Sequence, residues 1–462
     1  MDHSNAEEVR NRKYHEFWSA ICFMAMGVGY LFPFSALTQP VDYWSLLFPD
    51  FDIEFEITVV YMYVNLIVLG YFVFFADSNV NYSFRLNIGF FGQFLALAIV
   101  PTSYFWHMNE HDNYWTILFA TAFAAGVTAL IDSCIISLAA QYNLASQEGL
   151  QIGIGLSTLI GSVYRCFTKL AFPANMTVQS SLLYFYTGAV TVLGCMIAYY
   201  VLMNLGMKTN SESDENLYSK VNTLSTIEEE TDSLTTSTTT NTANNNLPKK
   251  NDDDNDDDNK ANGEKNRTYG SLDIESVKTG VEGHHIQVNE TSRMKVFSNV
   301  LHNQLVVFSL FTSTLALWPP LVAEIPSFNF PILNEEKWWP LILLFDFSLL
   351  DVIGRFMVGY RGCLTKDNIW LAVTARFIIS FPLIICLVKS YLFTHDFWSI
   401  LFVGALGYTN GYLGSLSIIF VSEKAEVQDR GLTGTLTGFV LNAGLVAGAT
   451  IAIFVQEFVH GL

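Results

Sequence analysis

Runs of about twenty apolar residues, separated by short polar or acidic turns, recur along most of this 462-residue chain. A helix needs roughly 20 such residues to cross the hydrocarbon core of a bilayer. By that test eleven spans are expected, at roughly 17–38, 57–76, 84–104, 114–138, 150–172, 181–205, 297–323, 338–360, 367–391, 396–421 and 432–458. Their ends coincide with Pro, Gly or acidic clusters, which are ordinary helix breakers. The segment 206–295 lacks the pattern: it carries Thr-, Asn- and Asp-rich tracts and too few apolar residues to offset its ordering entropy. It is expected to be a disordered acidic loop. The chain then divides into a polar tail at 1–16, a bundle of six helices at 17–205, the loop, and a bundle of five helices at 296–462. No A-x-A cleavage site follows the first apolar run, so that run is expected to remain as a membrane helix.

Charge supplies the orientation. Lys and Arg concentrate in the N-terminal tail, the 77–85 turn, the long loop and the turns at 361–366 and 423–430. The alternate loops are acidic or neutral, with Lys337 at a span edge as the exception. The positive-inside rule places the N-terminus and the long loop in the cytosol and the C-terminus outside. The net charge of −19 is partly local: 206–295 holds 18 of the 43 acidic residues against 10 of the 24 Lys and Arg. No basic patch of the kind nucleic acid requires is present. Of the N-x-S/T sequons, Asn81, Asn266 and Asn289 fall on the expected cytosolic side and Asn175 outside, close to the membrane. Five of the six cysteines lie in apolar runs, with no CxxC, which favours small buried hydrophobes over disulfides or zinc.

Charge inside the spans is the candidate chemistry. Asp132, Arg165, Asp346, Asp351 and Arg355 lie at membrane depth, where an ionisable side chain is costly and is a functional-site hypothesis by default. Asp351 and Arg355 are four residues apart and share a helix face with Ser348. That stripe should face the bundle interior or a water-filled path. Arg85, Lys169 and Arg376 lie nearer helix ends and are equally compatible with snorkelling to an interface. Asp132 and Arg165 are compatible with a structural pair or with a site. Pro33, Pro319, Pro320 and Pro382 are expected to interrupt helices, and glycines cluster in the fifth, tenth and eleventh spans, where they permit close packing. HExxH, GxSxG and the Walker A lysine motif are absent from the sequence, so no enzyme, cofactor or metal reading is indicated.

Five motifs in order resemble the equilibrative nucleoside transporter family. Gly27, Gly29, Leu31, Pro33, Phe34 and Ser35 are similar to its G-x-G-x-L-x-P-W-N opening; Asp351, Gly354 and Arg355 to its D-x-x-G-R; and Asn410, Gly411, Tyr412, Leu413 and Ser415 to its S-N-G-Y-L-x-S-L. Trp318-Pro319 resembles the seventh-span F-P, and Arg376 with Pro382 the ninth-span R-x(5)-P. The resemblance implies a major-facilitator-like fold of 6+5 helices that moves nucleosides or nucleobases by alternating access. Leu31, Phe34, Ser35 and Ser348 should line the cavity, with Asp351 and Arg355 holding ribose or base by charge-assisted hydrogen bonds. Arg85 should pair with Asp351. Trp318 joins the substrate candidates through its motif. Ile154 joins them because it stands where nucleoside carriers have a base-contacting glutamine and the monoamine branch a glutamate. Asp132 stands where members commonly carry glutamine, so proton coupling there competes with a brace to Arg165; Arg85 and Arg165 are gating candidates. A facilitative nucleoside or nucleobase carrier leads. Proton-coupled uptake and an organic-cation or other small-solute carrier are alternatives on the same scaffold. A membrane receptor or scaffold would leave the charged core unexplained. The partners implied are the substrate, the lipid bilayer and kinases or other cytosolic proteins at 206–295; the plasma membrane leads, with endosomal or vacuolar membranes as alternatives.

Overall fold

The structure is a computed structural model that describes residues 2–49, 51, 53–75, 81–106, 109–205, 290–388 and 392–461. The expected acidic loop, with the sequons Asn266 and Asn289, lies outside these residues, except that 290–295 already form the start of a helix. Among the described residues are eleven helices of 19 residues or more: α1 (Asp2–Thr38), α2 (Ile53–Phe74), α3 (Tyr82–Thr102), α4 (Glu110–Ala140), α5 (Leu144–Ala171), α6 (Thr177–Asn204), α7 (Glu290–Leu315), α8 (Trp338–Phe356), α9 (Ile369–Val388), α10 (Asp396–Lys424) and α11 (Arg430–Gly461). Nine of the eleven are long and apolar enough to cross a membrane, and α8 and α10 fall outside that criterion. The reason is visible in their sequences. Asp346, Asp351 and Arg355 crowd the 19 residues of α8, and Thr409, Asn410 and several glycines dilute the middle of α10.

Two features differ from expectation, and the break at Pro319 and Pro320 follows it. The tail expected at 1–16 is helical from Asp2 and forms the first four turns of α1, because a helix continues past the bilayer wherever its backbone bonds can propagate. Pro33 and Pro382 sit inside unbroken α1 and α9, since one missing N–H is tolerated when neighbouring helices enclose the turn. At Pro319 and Pro320 two donors are lost in succession; α7 ends at Leu315 and the span resumes as a short helix, Pro320–Glu324.

Helices pack mainly within α1–α6 and within α7–α11, and the two sets meet where α5 lies against α8 and where α2 and α4 lie against α11. Glycine decides the closest contacts. A Cβ on Gly153 of α5 would stand 2.0 Å from the Met24 carbonyl of α1, and one on Gly411 of α10 would stand 1.9 Å from the Asp351 carbonyl of α8. Backbones therefore touch, and dispersion between them replaces the hydrophobic drive that lipid does not provide. Gly153→Ala should lower the thermal midpoint of the detergent-purified protein, by an overpacking cost of about 1–3 kcal/mol. Gly126→Ala, whose Cβ meets nothing within 4 Å, should leave it unchanged in the same melt.

Candidate substrate-binding site

The centre of the site is a helix turn of α8. Arg355 Nε donates to Asp351 Oδ2 at 2.7 Å, and the two residues are 5% and 3% exposed. Arg355 Nη1 reaches α5, donating to the Gln151 backbone carbonyl at 2.9 Å and to Gln151 Oε1 at 3.1 Å. On the other side, Asn410 of α10 donates to Asp351 Oδ1 at 2.7 Å and accepts from Thr314 at 2.8 Å. Arg376 then donates to Thr314 (3.0 Å), Ser313 (2.7 Å) and Thr409 (3.0 Å). A continuous polar line thus runs from α5 through α8 and α10 to α7 and α9. Gly155 on α5 makes room for it: a Cβ there would meet Arg355 Cδ at 2.5 Å. The stripe faces the helix interior, and in this conformation it is closed by α5.

Trp318 meets α8 one turn before Asp351, its ring stacked on Phe347 at 4.6 Å and its Nε1 buried without an acceptor. Ser348 is fully buried and donates to its own helix, at the Leu344 carbonyl (2.8 Å). Ile154 is buried beside Gly155. Leu31, Phe34 and Ser35 lie on α1, which packs on α5 and α6; Phe34 is buried with its ring 5.1 Å from Tyr61, Ser35 is fully buried and Leu31 is partly so. The structure brings Trp318 and Ser348 to the helix face of the pair, and keeps the α1 residues in the other helix set.

Two expected pairings are corrected. Arg85 does not reach Asp351; it donates to Ser133 Oγ at 2.9 Å and lies 4.6 Å over the Phe72 ring, because α3 packs on α4 and α6. Asp132 and Arg165 do not pair either. The turn at 141–143 folds α4 back on α5, so Asp132 is ten residues from its middle and Arg165 twenty-three, an axial offset of about 20 Å at 1.5 Å per residue. Asp132 accepts instead from Tyr30, from Asn65 (2.9 Å) and from Asn442 (3.2 Å). Arg165 pairs with Asp42, in the short helix Val41–Leu47, and donates to Ser180 at 3.2 Å. Lys169 is held by specific partners: its Nζ is 3.2 Å from Asp42 Oδ2 and donates across to the carbonyls of Glu336 (2.8 Å) and Lys337 (3.2 Å), at the start of α8. Arg376 is likewise buried and bonded.

The partners of the buried charges that sequence reasoning missed are three amides, Gln151, Asn65 and Asn442, and Asp42 of the short helix Val41–Leu47. The available signal was an amide inside an apolar run, which costs a desolvation penalty unless it is bonded.

The described residues of the chain form only helices and turns, with a buried, charge-bearing interface between two helix sets, and the chain shares its fold with a solved structure. It is similar to the proton:xylose symporter XylE of the major facilitator superfamily, with TM-score 0.60 at 11% identity over 96% of this chain and 89% of that one. The family profile described as nucleoside transporter matches residues 118–457, and the chain belongs to that family. Equilibrative nucleotide transporter 1 of Arabidopsis thaliana is 23% identical over 97% of this chain and 88% of its own length. Human equilibrative nucleoside transporter 1 is 28% identical over a shorter stretch, 37% of this chain and 40% of its own length. The protein is a membrane nucleoside transporter and not an enzyme.

Proposed function

We propose that this protein carries nucleosides or nucleobases across the plasma membrane by alternating access between the bundles at 17–205 and 296–462. All eleven long helices cross the bilayer in this reading, with the N-terminus cytosolic and the C-terminus outside. The observation that carries it is the bonding of Arg355: one guanidinium holds Asp351 on its own helix and Gln151 on the opposite helix set. A hydroxyl or ring heteroatom of a nucleoside offers the same acceptor and donor chemistry as the Gln151 amide, and takes its place when α5 and α8 part. Asp351 and Arg355 then hold the polar edge of the substrate, with Ser348, Ser35 and the Trp318 indole N–H as further donors and Leu31, Phe34 and Ile154 against its apolar face. Arg165 and Lys169 on the α5 end that meets Asp42, and Arg85 on the opposite end of the α1–α6 set, gate the two sides. Movement down the substrate gradient is the simplest cycle for this geometry.

The test is uptake of radiolabelled adenosine, uridine and hypoxanthine into cells lacking endogenous carriers. Saturable uptake of at least one, accelerated by unlabelled substrate preloaded inside, is expected. Failure to take up any of the three, with the protein shown at the cell surface, would remove this reading.

A further inference from the structure

We infer that the groove between α9 and α10 binds the head of a fatty-acid anion from the bilayer, and that its occupancy slows transport through Arg376. The groove holds a cavity of about 150 Å3. Its walls are apolar, from Ile379, Leu383 and Ile384 of α9 and from Phe402 and Leu406 of α10. Arg376 and Thr409 stand at one end, with Ser380 one turn further along α9. An apolar cavity of this size accepts a benzene-sized group. The groove opens on the flank of the molecule. Ile379, at its rim, is 59% exposed, Ala405 opposite is exposed as well, and Ile378 and Leu401 beside them are also bare. That flank meets lipid in the bilayer placement proposed above.

Arg376 fixes the chemistry of the occupant. Its guanidinium carries five N–H donors. Nε bonds Thr409, one Nη1 N–H bonds Ser313, and Nη2 bonds Thr314 and the Leu406 carbonyl (3.3 Å). All four acceptors are neutral, and the second Nη1 N–H is left over. Among the described residues no carboxylate lies within ion-pair distance of Arg376; Asp351, whose charge acts on it, is bonded to Arg355. A cation at membrane depth without an anion is costly. A planar carboxylate supplies both the charge and the acceptor in the geometry a guanidinium favours. The cavity has room for the first carbons of one chain and not for a two-chain lipid with its headgroup. Arg376 is seven residues into α9, about 10 Å from the helix end placed at the cytosol, and the apolar wall runs on to Ile384, about 12 Å further. The head therefore lies on the inner-leaflet side with its chain toward the midplane, as an inner-leaflet amphiphile is oriented, a direction that rests on the orientation proposed above. The link to the transport site is short. Thr314, which accepts from Arg376, donates to Asn410, and Asn410 donates to Asp351. A carboxylate that draws the guanidinium into the groove loosens its hold on Thr314, and with it the setting of Asn410 against Asp351.

The experiment uses the full-length protein in proteoliposomes with palmitate that carries a photoactivatable diazirine in its chain. Labelled peptides are located by mass spectrometry, and nucleoside uptake is measured in parallel. The label should map to 376–384 and 402–409. Unlabelled palmitate should displace it at about ten-fold lower concentration than palmityl alcohol, the size expected of a charge-assisted hydrogen bond. Palmitate should also slow uptake by the wild type. Ala405→Trp fills the groove from its rim with a side chain outside the polar line, and should lose both the label and the palmitate effect while keeping basal uptake. Leu383→Trp fills it from α9 and stands in if the first variant does not fold. Equal displacement by the alcohol, or label confined to other helices, overturns the carboxylate site. Inhibition by palmitate that persists in both filled variants overturns the coupling through Arg376. A groove that takes the label selectively in a protein that carries no nucleoside supports the site and counts against the carrier alone.

Discussion

Asp351→Asn should lower nucleoside uptake about 100-fold with the protein still at the cell surface. The substitution keeps size and shape and removes what is, among the described residues, the one counter-charge bonded to the buried Arg355 guanidinium. Breaking a buried pair by removing one partner costs about 3–5 kcal/mol. Part of that cost is recovered through the Gln151 bonds, so a loss near 3 kcal/mol, or two powers of ten in rate, is the expected size. A pair that merely braces α8 would show the same loss, so the double variant Asp351→Asn/Arg355→Gln decides. It leaves two neutral amides in place of two charges, and replacing a buried ion pair as a unit is often neutral for stability. Surface level maintained with uptake still lost would assign the pair to the substrate. Restored uptake would assign it to the scaffold.

What the sequence made legible follows from what a single residue can announce. Long apolar runs declare membrane helices because the bilayer sets their length, and the runs at 57–76 and 84–104 correspond closely to α2 and α3. Asp351 and Arg355 were legible as a pair because i, i+4 spacing fixes their separation within one helix. Partners on other helices were not. Arg85 with Asp351 demanded a contact between α3 and α8 that helix packing does not make. Asp132 with Arg165 needed only the register of the α4–α5 hairpin to be excluded, and counting residues from the 141–143 turn supplies it. Gln151 could not be singled out, because an amide acquires meaning only when the guanidinium opposite is known. The prolines could have been told apart: Pro33 stands alone inside an unbroken helix, whereas Pro319 and Pro320 remove two donors in succession just beyond the end of α7.

The second large effect lies at the opposite end of α5. Asp42 is the counter-ion of Arg165, which is 1% exposed, and it also meets Lys169 at 3.2 Å. With Gln39, Val41, Lys337 and Leu341 these three residues line a cavity of only about 10 Å3, no larger than one water. Little solvent is available there to replace a lost partner. Asp42→Asn should therefore lower unfolding stability by about 3–5 kcal/mol at neutral pH, read as a fall in the thermal midpoint of the purified protein. The pH dependence has a definite sign. Burial opposes the Asp42 carboxylate, but the Arg165 charge and hydrogen bond, with Lys169 behind them, outweigh it and hold the group below its usual range. A carboxyl held low when folded contributes stability above its unfolded value, near 4, and loses it as pH falls through the folded value. The wild-type midpoint should thus be insensitive to this group from pH 7 to 5 and should decline below about pH 4. The Asp42→Asn protein should start lower and lack that component of the decline. Because Lys169 also grips the carbonyls of Glu336 and Lys337 across the helix sets, loss of Asp42 frees it to bind them more tightly, holding the outer side shut. Uptake should then fall further than surface level does. Equal falls would confine Asp42 to stability, and an unchanged melt would refute the ion pair as a structural element.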